Sequence, residues 1–183
     1  MGEIQKQRPV LLVAAVSSRY ETAIDDWTRK QSQSSWGKIC LESPMYDFSE
    51  TSFYAATMGE NLKKKIFAFE DLIPPESIPD CKILSNDWER LFATENSYPE
   101  SRPLNIDPGY VTEAKLVLAT TKDRDHRIYL RDGIFAEVTM HYYQRQWVKS
   151  RWTYPDYQRP DFHSFFTECR EYLRQRYRSG AGS

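Results

Sequence analysis

Glycine is scarce in this chain: seven in 183 residues, and only five before the closing Ser-Gly-Ala-Gly-Ser. No glycine-rich loop is present, which excludes a P-loop and a dinucleotide-binding fingerprint, because both need backbone amides brought against phosphate with no Cβ in the way. GxSxG and HExxH are also missing, and no Cys and His fall at a recognisable spacing, so ordinary hydrolases lose support. Cysteine is limited to Cys40, Cys81 and Cys169, odd in number and widely spaced. They make neither a disulfide framework nor a CxxC zinc pattern, and the simplest account is buried free thiols in a reducing cytoplasm. Long apolar runs are absent. Pro9–Val16 is far too short for a membrane span and leads into an amphipathic helix pattern, so it reads as a buried strand rather than a signal peptide. Net charge is also small, −1, which argues against a uniformly basic nucleic-acid binder.

What is present is an ordinary globular balance, 40% hydrophobic and 28% charged, at a length suited to one domain. The charge is unevenly spread. Residues 1–119 carry 13 Lys/Arg against 18 Asp/Glu, whereas residues 120–178 carry 12 against 8 and hold 13 of the 26 aromatics. A basic, aromatic C-terminal third is either a solvated surface over an aromatic core or a face for a polyanion.

The pattern predicts a single α+β domain over residues 8–178, with tails at 1–7 and 179–183. It consists of a mixed or antiparallel sheet packed by about three to four helices, a C-terminal β-meander and a docking helix. Val10–Val16 suits a central strand. Ser18 and Glu21 have capping-box spacing, and Tyr20, Ala23, Ile24 and Trp27 mark a helix to about Gln31. Lys38–Phe48 reads as a strand bent at Pro44, and Phe53–Phe69 as a hairpin divided by Gly59. Pro75 and Pro79 open a helix with Cys81, Leu84, Trp88, Leu91 and Phe92 on one side, and Lys82 and Arg90 on the wet side. Pro108-Gly109 is expected at the centre of a type II turn, followed by a helix from Thr112 and Glu113. Phe162, Phe165, Phe166, Cys169, Tyr172 and Leu173 form one stripe of a last helix entered through Pro160.

The run NIDPGYVTEAKLVLATTKDRDHRIYLRDGIFAEVT, followed by WTYPDY, closely resembles the core of an uncharacterised bacterial family, domain of unknown function 4416. Upstream, TSFYAATMGENLKKKIFAFEDLI resembles that family's T-x-Y-Y-x-x-x-M-G stretch, with Phe53 in place of one Tyr. The resemblance spans roughly residues 8–178. It implies a family and no reaction, cofactor or fold.

The meander localises the best functional candidate. A three-residue Arg131-Asp132-Gly133 loop pairs Tyr129 with Phe135 and Arg127 with Glu137, keeping both strand faces consistent. Glu137, Thr139 and His141 then share a face with Arg127 and Tyr129. That face is a surface ion pair or a polar pocket where Lys122, His126 and Arg127 meet an anion such as phosphate, with Glu137 orienting Arg127 or acting as a base. Asp107 is a catalytic carboxylate or a turn cap, and Lys115 a phosphate contact or a solvated helix residue. Trp152, Tyr154 and Asp156 belong to a rigid aromatic loop that anchors the last helix or offers a stacking platform. Asp123, Asp125 and His126 lie close together, but no second ligand cluster accompanies them and no metal site is predicted. The leading expectation is a cytoplasmic protein binding a phosphate-containing small molecule or RNA. The alternatives are an enzyme on a phosphate-containing substrate, with Glu137 or Asp107 as base, and a structural partner protein.

Overall fold

The computed structural model describes residues 2–3, 6–32, 35–48 and 54–180. The centre of the fold is β1 (Leu11–Ser18), every residue of which is buried. Leu11, Val13 and Ala15 serve one core, and Leu12, Ala14 and Val16 the other. A strand covered on both faces reads as an unbroken apolar run, which explains its signature.

The strands that follow are β2 (Ile39–Glu42), β3 (Tyr46–Phe48), β4 (Leu62–Phe69), β5 (Asn105–Val111), β6 (Lys115–Thr120), β7 (Ile128–Arg131), β8 (Ile134–Tyr143) and β9 (Gln146–Lys149). They form one antiparallel nine-stranded sheet in the order β2-β4-β1-β5-β6-β8-β7, with β3 beside β4 and β9 beside β8. Each outer edge is thus built from two short strands sharing one long neighbour: β2 and β3 on β4, β7 and β9 on β8. The chain is a single-domain α+β protein.

Four helices flank the sheet among the described residues: α1 (Glu21–Trp27, running into a π-helical turn at Thr28–Ser32), α2 (Ala55–Met58), α3 (Ile78–Glu95) and α4 (Pro160–Arg178). Helix α4 covers one face with Phe162, Phe165, Phe166, Cys169 and Leu173, all buried. Burying each phenyl ring stabilises this docking by roughly 1.5–3 kcal/mol. Helices α1 and α3 cover the opposite face, where Trp27, Trp36 and Trp88 lie edge to face with centroids 4.7–5.9 Å apart. Among the described residues, no helix is long and apolar enough to cross a membrane.

Several local expectations are overturned. Ser18 does not cap α1: its hydroxyl accepts from the Tyr20 N–H at 3.0 Å and donates to the Pro103 carbonyl at 2.7 Å, tying β1 to a distant loop. Strand 38–48 is two strands, divided at Ser43-Pro44. The hairpin expected over Phe53–Phe69 is instead helix α2 followed by a single strand, β4, paired with β1; Phe53 itself lies outside the described residues, as do Ala181–Ser183 of the expected tail. Thr112 starts no helix. Its hydroxyl accepts from the Ala114 and Lys115 N–H groups and closes a tight turn between β5 and β6. On α3, Leu91 is exposed and Lys82 is buried, the reverse of the expected faces.

The β7–β8 register is as expected, but its turn is not. Tyr129 lies opposite Phe135 and Ile128 opposite Ala136. The turn is the two-residue Asp132-Gly133, both with positive φ (54° and 76°), and a bulge at Leu130 takes up the odd residue. The expected strict alternation along β8 also fails. A second bulge between the Val138 and Met140 pairings leaves Glu137, Thr139 and Met140 all buried and Val138 48% exposed.

Candidate functional site

Strand β5 is paired with β1 over its whole length, yet with β6 only from Gly109 to Val111. Pro108-Gly109 is therefore no turn but the point where two strands part. Continuing the register would set residue 108 opposite Ala119, and a proline there has no N–H to extend the ladder. Gly109 permits the close pairing just before the parting, since a Cβ there would lie 2.3 Å from the Val117 carbonyl oxygen.

Beyond that point, α3 takes the place of β6. The Ile106 N–H donates to Glu89 Oε1 at 2.7 Å, and the Ile106 carbonyl accepts from Lys82 Nζ at 2.9 Å. In an antiparallel strand, both groups of one residue point to the same side, so two helix side chains satisfy what a neighbouring strand would have satisfied. This is why Lys82 is buried although charged.

The parting opens a pocket of about 430 Å³. Its floor is an ion-pair network. Lys82 Nζ lies 3.1 Å from Asp107 Oδ1, and the Asn105 amide donates to Asp107 Oδ2 at 2.7 Å. Arg102 donates twice to Glu89 Oε2, at 2.9 and 2.7 Å, and also to Asn105 Oδ1. Lys64, on β4, pairs with Asp156 and sits 3.5 Å above the Phe48 ring centroid. Burial opposes ionisation of Asp107, but the Lys82 ammonium, the Asn105 amide, Lys64 and Arg102 outweigh it and hold the carboxyl down to about 2. Burial pushes Glu89 upward against the pull of Lys82 and Arg102.

The opposite wall is a knot around Glu137. Its Oε2 accepts from Arg127 Nε at 2.7 Å and faces His126 Nε2 at 3.1 Å, while Thr139 Oγ1 approaches Oε1 at 3.4 Å. Arg127 also donates to the Lys122 carbonyl (2.9 Å) and the Tyr154 hydroxyl (2.6 Å). One guanidinium thereby holds the 120–126 loop, β8 and the 152–157 loop together. His126 stacks on Trp152 behind this wall, 5.1 Å between centroids at 14°. At the rim stand Lys122 and Arg124, both exposed. Arg124 makes no ion pair or side-chain hydrogen bond among the described residues. Burial, and then the neighbouring Arg102, Arg127 and Arg124, lower the Lys122 pKa against the pull of Asp107.

Of the residues expected at a site, Glu137, Asp107, Lys122, Arg127, Tyr154 and Asp156 line this one pocket. His126 and Trp152 back it. Lys115 does not reach it, being exposed at the far end of β6 opposite His141, and Tyr129 is 58% exposed against Phe135 on the outer edge. Sequence reasoning missed Lys64, Lys82, Glu89, Arg102 and Asn105. Signals existed: Lys64 falls on the same strand face as Leu62 and Ile66, and Lys82, Ser85 and Glu89 recur at helical spacing as a buried polar stripe. Among the described residues, no three His, Cys, Asp or Glu side chains gather as metal ligands.

Neither a curated protein nor a solved structure matches the chain. The model of one family, described as a domain of unknown function and numbered 4416, matches residues 8–172, and the chain belongs to that family.

Proposed function

We propose that the protein binds a small phosphate-containing ligand in the pocket where β5 and β6 part. The observation that carries this reading is the charge of the lining. Lys64, Lys82, Arg102, Lys122, Arg124 and Arg127 face the pocket against Asp107, Glu137 and Asp156. Lys64, Lys82, Arg102 and Arg127 have carboxylate partners, whereas Arg124 at the rim has none among the described residues, so a phosphate is best met there, where it keeps partial contact with water. A volume of about 430 Å³ suits a small molecule, since such sites commonly measure about 300–1,000 Å³. An RNA strand is less well served, because Trp152 already has His126 stacked against it.

An enzymatic reading with Asp107 as base is weakened by its low pKa of about 2, which leaves little proton affinity at neutral pH. Glu137 is likewise committed, with Arg127 and His126 both at Oε2. Free Cys40, Cys81 and Cys169 accord with a reducing, cytoplasmic setting.

Thermal unfolding with adenosine 5′-monophosphate, inorganic phosphate and adenosine tests the reading. Both phosphate-bearing compounds are expected to raise Tm in a concentration-dependent way, and adenosine alone is not. The double variant Lys122→Ala/Arg124→Ala is expected to weaken phosphate binding by about tenfold or more. Equal shifts with adenosine and its monophosphate would contradict the proposal.

A further inference from the structure

The pocket is polarised from rim to floor, and that polarity selects a ligand class and an orientation. We infer that the ligand is a phosphomonoester whose far end carries hydroxyl or amino donors, a sugar phosphate or nucleoside monophosphate, bound with its phosphate at the Lys122–Arg124 rim and its donors on Asp107. The inference rests on the pocket being an anion site.

The floor is the wrong place for a second anion. Each deep cation is matched: Lys64 by Asp156, Lys82 by Asp107 and Arg102 by Glu89. The Asp107 side chain is 33% exposed, the most accessible of these carboxylates. A phosphate pushed down to it would meet a full negative charge at close range, and the repulsion falls as the separation grows. A hydroxyl or amino group meets the opposite situation. An ionised carboxylate offers about four lone-pair directions. Lys82 and Asn105 occupy one on each oxygen, so acceptor capacity remains towards the pocket.

Beneath the floor lies an unused polar group. Ser17 is 1% exposed and its hydroxyl has no hydrogen-bond partner among the described residues. Its cross-strand neighbours are Lys64 on β4 and Asn105 on β5, and both line the pocket. Directly opposed residues share a sheet face, so Ser17 lies beneath the floor between two lining residues. Orphaned buried hydroxyls are uncommon, and a water held between this one and a hydroxyl-rich ligand would complete it. Between rim and floor, Phe48, Tyr54, Tyr154 and Tyr157 supply an aromatic flank for a sugar or base ring.

Titration calorimetry with methyl phosphate and ribose 5-phosphate tests the inference. These probes share a phosphate and differ in the hydroxyl-bearing end. The wild-type protein is expected to bind ribose 5-phosphate at least about tenfold tighter, the scale of hydrogen bonds to a charged acceptor. Asp107→Asn is expected to lose most of that advantage while binding methyl phosphate as well as, or better than, wild type. Equal affinities for the two probes in the wild type would overturn the inference and leave the anion site standing. That comparison also decides the matter if Asp107→Asn fails to fold with Lys82 unpaired. A variant that weakens both probes equally would overturn it too. No binding of either probe would remove the anion site and this inference together.

Discussion

The two ends of β5 share β1 on one side and meet opposite fates on the other. From Gly109 to Val111 the strand is paired on both sides and packed within the sheet. From Asn105 to Asp107 it keeps β1 on one side, while side chains of α3 and a charged pocket replace β6 on the other. The difference turns on two adjacent residues, a proline that ends a ladder and a glycine that permits the tightest contact beside it. A pocket can thus be made by interrupting a sheet, provided a helix supplies the missing donors and acceptors.

Substituting the glycine attacks the paired end and carries the largest expected effect. Gly109→Val would drive a side chain into the Val117 carbonyl oxygen, 2.3 Å from the first added carbon, and into Leu118 Cδ2 at 2.7 Å. A loss of about 3 kcal/mol or more is expected in urea unfolding, and an unchanged midpoint would refute the close pairing. The open end is attacked by Lys82→Met, which strands Asp107 and the Ile106 carbonyl; a cost of about 3 kcal/mol is expected by the same measurement.

Acid sharpens the comparison further. The folded pKa of Asp107 lies below its ordinary value, so its contribution to stability is complete above 3.8 and is lost as pH falls through about 2. Wild-type stability should decline over that window, and Asp107→Asn should decline less steeply; parallel curves would show that Asp107 is not held by its cations. The smallest expected effect comes from Pro108→Ala. Restoring the N–H lets the β5–β6 ladder extend towards Ala119, with stability changed by about 1 kcal/mol or less. Hydrogen exchange should find the new amide at position 108 protected, and a freely exchanging one would mean that the proline does not set the parting.

Much of this fold was legible, because burial on two faces leaves an apolar run at β1 and burial on one leaves the aromatic stripe of α4. The Tyr129–Phe135 register was legible from face consistency, although a two-residue turn with a bulge replaced the three-residue loop that the same consistency suggested. The open end of β5 was not legible. Pro-Gly has strong local turn chemistry, and only the tertiary position of β1 and α3 holds it extended. Lys82 was assigned to solvent because a lone charged residue beside an apolar stripe normally lies there, and its partner Asp107 is 25 positions away. The Glu137–Arg127 wall was visible from local pairing, whereas the Lys64–Asp156 pair joins residues separated by 92.

The most direct test of a phosphate-ester site at the open end of β5 is amide chemical-shift mapping with ribose 5-phosphate. The largest perturbations are expected at Asn105–Asp107 and Thr120–Arg124, with His141–Trp147 silent. Perturbations centred on His141–Trp147, or none at saturating ligand, would contradict it.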